Sequence, residues 1–308
     1  HAIKAMLEEK DKVFIGLGGN FADAAPDTKR TYEALRNCAL TVHISTHLNK
    51  SHLICGKEAL ILPCLGRTEL DIQLSGVQSV TVEDSMSMVH ASKGKNIPAS
   101  RDLKSEPYIV AGIADKIFGK DKLDYLDLVS DYSKIREKIE EVLPMFSAYN
   151  ENIKNRDGFE LYNSAKNKDW NTKSKKANFI VNELPTLEVK EDHLVLMTIR
   201  SHDQFNTTVY ENDDRYRKIK NQRRIVFINP KDLEKLGLKD GDIVNIQSHN
   251  KDGIKREVKN FKLISYDIKE GSAAAYFPEA TPLVSLSSHD PKSFTPSYKY
   301  IDITLHKI

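Results

Sequence analysis

Glycines and an asparagine at the end of an apolar run are the first residues that could bind a ligand. Gly18, Gly19 and Asn20 stand at the end of residues 12–18, which we expect to form a buried strand. Backbone amides can approach a ligand closely where glycine has no Cβ, and parallel sheets bind ligands at the carboxyl ends of their strands. The spacing is not GxGxxG, so it does not indicate a dinucleotide fingerprint. A purely structural strand end is the alternative interpretation.

A second candidate is the polar segment from Thr198 to Thr207, TIRSHDQFNT, which follows a predicted strand. Hydroxyl, amide and guanidinium groups in such a loop can wrap around a polyanion. Arg200 can hold a phosphate through two parallel hydrogen bonds, which lysine cannot do. The alternative is a polar turn with a surface arginine.

A third candidate is the segment TPSYKY near the end of the chain, residues 295–300. A turn constrained by Pro296 would carry Tyr298 and Lys299, and this pair could close over a flat, charged ligand. The alternative is a terminal strand that packs its tyrosines.

Other reactive side chains favour structural roles. His43, His47 and His52 have no Cys or carboxylate at ligand spacing, so a metal site is not favoured. Residues 201–203 are Ser, His and Asp, but adjacent residues cannot point at one another as a nucleophile, base and orienting acid must. Cys64 follows a predicted strand, which favours a buried structural thiol.

The composition excludes several classes of protein. The 308 residues are 40% hydrophobic with a net charge of +2, which excludes a disordered chain and does not favour nucleic-acid binding. The three cysteines include no CxxC pair, so iron–sulfur and zinc spacings are absent. No apolar run reaches the ~18–20 residues of a membrane span, and no signal peptide opens the chain, so we expect a cytoplasmic protein.

The first half of the chain alternates strand and helix patterns. Residues 12–18, 39–44 and 57–63 predict strands, and residues 28–38 predict a helix with Asp27 as its N-cap. Strands that alternate with helices predict a parallel sheet.

The middle of the chain is less regular. Residues 69–102 are polar and predict an ordered loop, whereas residues 106–118 and 123–143 predict helices. Residues 163–178 have almost no apolar content and indicate a linker.

Beyond the linker, the pattern is typical of a small β-barrel with one capped helix at residues 229–237. The predicted strands are residues 194–199, 224–228, 242–248, 256–264 and 299–306. The basic run at residues 215–224 is interpreted as a solvated loop, with a phosphate or acidic-partner site as the alternative.

Eight segments, taken together and in this order, resemble formate dehydrogenase-like molybdopterin oxidoreductases. Five resemble the cofactor-binding α/β domain of that family: FIGLGGNFADAAPD at 14–27, EALRNCALTVHISTHLNKS at 33–51, GKEALILPCLGRTELD at 56–71, VTVEDSMSMVH at 80–90 and SEP at 105–107. Three resemble its dinucleotide-binding domain: TIRSHDQFNT at 198–207, NPKDLEKLGLKDG at 229–241 and TPSYKY at 295–300.

The resemblance implies an α/β fold in which a parallel-sheet, Rossmann-like domain precedes a C-terminal double-psi β-barrel. The implied boundaries are residues 1–162 for the α/β domain with its helices, 163–189 for the linker and 190–308 for the barrel. The implied cofactor is molybdopterin guanine dinucleotide in its bis-MGD form, with molybdenum or tungsten. An iron–sulfur cluster is not expected in this chain.

The resemblance also implies a cofactor-binding set but no catalytic residue and no metal ligand in this chain. Thr46 and Glu106 each replace a family Asp, and Thr281 stands where many relatives have Asn. The implied set is Gly18, Gly19, Asn20, Ser45, Thr46, Glu106, Thr198, Arg200, Ser201, His202, Asn206, Thr207, Tyr298 and Lys299.

The implied function is the cofactor-binding C-terminal portion of an oxidoreductase, inactive without a missing N-terminal part that carries the metal ligand. Its other partners would be a small-molecule substrate and an electron carrier, with no nucleic acid and no membrane span. Two alternatives are a non-catalytic nucleotide-binding or scaffold protein, and a barrel that docks an acidic partner through Arg223 and Arg224.

Overall fold

The computed structural model describes residues 1–10, 12–184, 190–207 and 209–308. The chain folds into two compact units. The first consists of His1–Leu62 and Pro185–Ile308, and the second consists of Pro63–Leu184. These units differ from the domains predicted at 1–162 and 190–308, because the first 62 residues pack with the C-terminal part of the chain. Residues 185–189 of the predicted linker lie outside the described residues.

The N-terminal part of the first unit contains a small sheet and three helices. Strands β1 and β2 are parallel, with Val13 opposite Leu40 and Leu17 opposite Ile44, and β3 lies on the other side of β2. The predicted strands and the predicted helix are therefore confirmed here. The elements are α1 (Ala2–Leu7), β1 (Val13–Leu17), α2 (Phe21–Ala24), α3 (Thr28–Asn37), β2 (Leu40–Ser45) and β3 (Glu58–Pro63).

Strand β1 is not buried on both faces, so that prediction is wrong. Val13, Ile15 and Leu17 are 48–52% exposed, whereas Phe14 packs against the core cluster that includes Leu35. Side chains alternate between the two faces of a strand. The face of β1 that carries Phe14 packs against the helices, and the face that carries Val13, Ile15 and Leu17 is exposed within this unit.

The second unit is more regular than the sequence predicts. The loop predicted at residues 69–102 contains four short strands. The helix predicted at residues 123–143 is broken at Asp131, whose extended backbone ends one helix and whose side chain caps the next by accepting from the Ser133 amide at 2.8 Å. The elements are β4 (Ile72–Gln73), β5 (Gly76–Val77), β6 (Val80–Glu83), β7 (Met88–Ser92), α4 (Glu106–Phe118), α5 (Tyr125–Ser130), α6 (Tyr132–Val142), α7 (Tyr149–Asn152) and β8 (Phe159–Glu160).

The C-terminal part of the first unit is a closed six-stranded barrel of order β10-β12-β11-β14-β9-β13. Its interior holds fully buried apolar side chains such as Leu196, Ile246 and Leu263. The predicted barrel is confirmed, whereas the double-psi and Rossmann-like details stay predictions. The elements are β9 (Leu194–Ile199), β10 (Ile225–Ile228), α8 (Pro230–Lys235), β11 (Ile243–Ser248), β12 (Arg256–Ser265), β13 (Ser272–Tyr276) and β14 (Ile301–Lys307).

Strand β13 is absent from the sequence prediction. Its residues Ala273, Ala274 and Ala275 pair with β9 on one side and β10 on the other. Alanine has weak strand propensity, so only this pairing makes the segment a strand. Within the described part of the chain, no helix has both the length and the apolar character needed to cross a membrane.

Candidate functional site

The glycine-rich strand end and the Arg200 loop meet through the side chain of Asn20. Asn20 is 5% exposed, and its Nδ2 donates to the backbone carbonyl of Thr207 at 3.4 Å and to Asp23 Oδ2 at 3.1 Å. Its Oδ1 accepts from Ser51 Oγ at 3.1 Å. This hydrogen bond joins two segments that are 187 residues apart, residues 18–20 and the loop 198–207, and we refer to the two segments together as the Asn20 cleft.

The backbone before Asn20 is open to a ligand. Gly18 and Gly19 have φ of 63° and 66°, the left-handed conformation that glycine adopts without strain. A Cβ built on Gly19 would meet no atom within 4 Å. Among the described residues, the amides of Gly19 and Asn20 have no hydrogen-bond acceptor, and consecutive free amides of this kind suit an anion.

Ser45 and Thr46 lie at the same sheet edge. They follow Ile44, whose carbonyl accepts from the Gly18 amide at 2.8 Å. Ser45 is buried and Thr46 is exposed. The carboxyl ends of β1 and β2 thus bring five predicted residues to one edge of the sheet, as expected for parallel strands.

Arg200 belongs to the loop 198–207 and Lys299 contacts this loop, and neither cation forms an ion pair with a carboxylate among the described residues. Arg200 is exposed, and Lys299 Nζ donates to the carbonyl of Thr198. Burial lowers the pKa of Lys299, and the positive charge of Arg200 lowers it further. An anion placed between them would relieve this repulsion.

The remaining loop residues divide into exposed and buried groups. His202 and Asn206 are exposed, and His202 Nδ1 lies 3.2 Å from Asp214 Oδ1. Ser201 is buried, and its hydroxyl accepts from Arg223 Nη1 at 3.1 Å, so it serves the internal structure of the loop.

Tyr298 joins the barrel to α2, because its hydroxyl donates to the carbonyl of Ala24 at 2.6 Å. Burial raises the pKa of Tyr298 to about 12, so it stays a neutral donor. Tyr298 also lines a mostly apolar cavity of about 840 Å³. Asn20, Arg200 and Lys299 do not line that cavity, so it is separate from the Asn20 cleft.

Glu106 belongs to the second unit, where it is the first residue of α4 after the N-cap Ser105. The Ser105 hydroxyl lies 2.6 Å from the Tyr132 hydroxyl, which donates to Asp71 Oδ2 at 2.5 Å. All residues of the predicted set except Glu106 belong to the first unit.

Residues 215–224 are not simply a solvated loop, and this interpretation is wrong for Arg223. Its side chain is 5% exposed and pairs with Glu279 at 2.8 Å. A buried, paired arginine cannot contact a partner at the surface, so Arg223 is not part of the predicted docking site. Arg224 is exposed. The basic composition of the run gave no signal of this burial, which depends on Glu279.

His43, His47 and His52 are not grouped as metal ligands in the part of the chain that the structure describes. His43 and His52 are buried, with ring centroids 4.9 Å apart, and their Nε2 atoms have no hydrogen-bond partner in the described residues. His47 is exposed. No group of three or more His, Cys, Asp or Glu side chains in the described ranges is arranged to hold a metal ion.

Comparisons with known proteins indicate which family the chain resembles. Residues 194–302 match the family model described as the molydopterin dinucleotide binding domain. The chain is 46% identical over 310 residues to an uncharacterized oxidoreductase of Mycobacterium tuberculosis (strain ATCC 25618 / H37Rv), covering 99% of this chain and 40% of that protein. It is 42% identical over 310 residues to the protein YdeP of Escherichia coli (strain K12), covering 99% and 41%.

Among solved structures, the acetylene hydratase from Pelobacter acetylenicus has a TM-score of 0.65 at 15% identity, covering 100% of this chain and 46% of that one. At this identity the likeness concerns the fold alone. The chain spans about two fifths of the length of the relatives it matches. The family model and the two relatives support a relationship to the molybdopterin oxidoreductases, as the sequence resemblance predicts.

Proposed function

We propose that the first unit binds molybdopterin guanine dinucleotide and forms the cofactor-holding portion of a molybdopterin oxidoreductase. The hydrogen bond from Asn20 to the Thr207 carbonyl carries this proposal, because it joins the glycine-rich strand end to the Arg200 loop. A ligand with phosphates at one end and a flat ring system at the other can then contact both segments at once.

The charges of the Asn20 cleft fit such a ligand. Arg200 and Lys299 would hold phosphate oxygens, since guanidinium and ammonium groups form strong charge-assisted hydrogen bonds with them. The free amides of Gly19 and Asn20 would add neutral donors. Burial lowers the pKa of Lys299 most, and the nearby charge of Arg200 lowers it further, so an anion between the two cations would be stabilising.

The roles of this chain are binding and orientation. The bound cofactor would supply two-electron transfer, and the protein would supply position and electrostatics. His202 and Asn206 are exposed on the loop, and we assign them contacts with the pterin or the phosphates. We assign no catalytic residue to this chain, and the Ser201 hydroxyl, which accepts from Arg223, has a structural role in the loop.

For the whole protein, we propose a cytoplasmic, formate dehydrogenase-like oxidoreductase that uses bis-MGD with molybdenum or tungsten. It would pass electrons between a small substrate and a carrier, and a further N-terminal part of the polypeptide would supply the metal ligand. Formate oxidation with a dye acceptor by the 308-residue chain alone would contradict this division of roles.

The binding proposal is tested with guanosine diphosphate and inorganic pyrophosphate, titrated calorimetrically into the 308-residue chain. We expect both to bind, with affinity that falls as salt concentration rises. Arg200→Met and Lys299→Met should each weaken binding by roughly tenfold, the effect of one lost charge-assisted hydrogen bond.

The exposed Arg224→Met is the matched control and should bind as the unaltered chain does. Absence of binding by the unaltered chain, or equal binding by Arg200→Met, would overturn the proposal. Guanosine triphosphate bound tightly, with metal and pterin absent from the purified full-length protein, would favour a nucleotide-binding scaffold instead.

A further inference from the structure

Arg223 is a buried cation whose charge is already neutralised. Its Nε and Nη2 donate to the two oxygens of Glu279 at 2.8 and 3.2 Å. The guanidinium carbon lies 4.3 Å from the ring centroid of Tyr210 and 4.8 Å from that of Tyr276. This side chain is therefore enclosed by an ion pair and two aromatic rings, and it is not available to a ligand.

Arg223 also donates hydrogen bonds to buried side chains of the loop between Arg200 and Thr207. Nη1 donates to Ser201 Oγ at 3.1 Å, and Nη2 donates to Gln204 Oε1 at 2.9 Å. Five N–H donors in a rigid plane allow one arginine to hold several acceptors in fixed relative positions, which lysine cannot reproduce.

The side chain of Gln204 links Arg223 to further backbone groups of the loop. Its Oε1 also accepts from the Ser201 amide at 3.1 Å, and its Nε2 donates to the carbonyls of Asn206 at 2.7 Å and Phe277 at 2.6 Å. The next carbonyl, that of Thr207, accepts from Asn20. One connected network thus runs from Arg223 to the residue that closes the Asn20 cleft.

We propose that Arg223 is a positioning residue that holds residues 201–207 in the conformation that presents Arg200, His202 and Asn206 to the ligand. The inference rests on the proposed cofactor-binding role of this loop. Arg223 touches no ligand itself and acts on the loop through the side chain of Gln204.

The test compares Arg223→Met, Arg223→Lys and Gln204→Ala in the 308-residue chain by hydrogen–deuterium exchange of peptides covering residues 199–207. We expect exchange in Arg223→Met and Gln204→Ala to rise at least roughly tenfold in this loop, with less change in Arg223→Lys. Residues 229–241 of the same barrel should keep their exchange rates. Arg224→Met is the matched control, because Arg224 is the exposed neighbour.

Gln204→Ala keeps the Arg223–Glu279 ion pair, so it tests the inference even if Arg223→Met does not fold. Unchanged exchange of residues 199–207 in a folded variant would overturn the inference. So would an increase spread evenly over the barrel strands, which would indicate general destabilisation and not loop positioning.

Binding of guanosine diphosphate separates this inference from the proposed function. In the positioning variants, we expect binding to weaken together with faster loop exchange, whereas Arg200→Met should weaken binding with unchanged exchange. Positioning variants that exchange faster yet bind as tightly as the unaltered chain would overturn the inference. If the unaltered chain does not bind, the proposed function fails, and the exchange data still decide whether Arg223 positions the loop.

Discussion

Arg256 donates from both Nε and Nη2 to a single carboxylate oxygen of Asp27, at 3.0 and 2.6 Å, across 229 positions of sequence. Both side chains are 5% exposed. Asp27 is the N-cap of α3, and Arg256 begins β12, so this pair ties the N-terminal helices to the barrel within the first unit. It does so at a position outside the Asn20 cleft.

Removing the guanidinium of Arg256 should destabilise the first unit strongly. Arg256→Met leaves Asp27 and Asp252 without their partner, and loss of one partner of a buried pair costs about 3–5 kcal/mol. Asp27→Asn should cost less, because Arg256 keeps Asp252. Denaturant unfolding followed by circular dichroism measures both values.

The control for the Arg256 variants is Lys138→Met, which breaks an exposed pair with Glu141 and should change stability by less than about 1 kcal/mol. Equal stability of Arg256→Met and Lys138→Met would show that the buried pair contributes nothing.

Acid should destabilise the barrel through Asp214. Burial alone would raise the pKa of Asp214, but hydrogen bonds from Tyr276 and Arg217 outweigh it and lower the pKa from 3.8 to about 2. A carboxylate with a depressed folded-state pKa stabilises above its unfolded pKa, and this contribution is lost as the pH falls from about 4 to 2.

The contribution of Asp214 is about 2 kcal/mol for a shift of this size. In Asp214→Asn, the loss of unfolding free energy between pH 5 and pH 2 should therefore be smaller by about this amount. Unfolding curves across this pH range measure the difference, and parallel pH profiles for the two proteins would contradict the assignment.

Cys64 should be nearly inert to alkylation at pH 8. Burial, and then the charges of Glu106 and Glu69, raise the pKa of its thiol to about 11. Only roughly one thiol in a thousand is then the reactive thiolate. Mass spectrometry after iodoacetamide treatment should find the partly exposed Cys55 modified first. In urea the two should react at similar rates, and rapid folded-state labelling of Cys64 would argue against burial.

A methyl group at Gly56 should not be tolerated. A Cβ there would lie 2.5 Å from the carbonyl oxygen of Cys38, and because that oxygen is backbone it cannot move away cheaply. We expect Gly56→Ala to lose about 1–3 kcal/mol. Gly112→Ala is the matched control, since Gly112 lies in α4 with open space around it and should gain about 0.5–1 kcal/mol. Denaturant unfolding compares them, and the opposite order would contradict this account.

Much of the local structure could be predicted from the sequence. The caps Asp27 and Asn229 mark the starts of α3 and α8, and Gly237, with φ of 65°, follows the end of α8. These signals are local, because a cap acts on amides within the same turn of chain. The strands of the first sheet also follow from their own apolar residues.

Other elements could not be predicted because their structure depends on distant partners. The alanines of β13 form a strand only between β9 and β10. The strands at residues 69–102 instead pair locally, such as Val82 opposite His90. They are only two to five residues long, so β-branched residues such as Val80 and Val82 were too few to indicate a strand within a polar segment.

The sequence by itself determined which groups could bind an anion, namely the glycines before Asn20, the arginine in the loop after β9 and the Tyr-Lys pair near the end. Only the tertiary structure decided that Asn20 meets Thr207, that Arg223 is buried against Glu279, and that Arg256 reaches Asp27. The physical reason is that burial and charge pairing depend on atoms brought together from distant parts of the chain, whereas residue type and spacing report only on the local backbone.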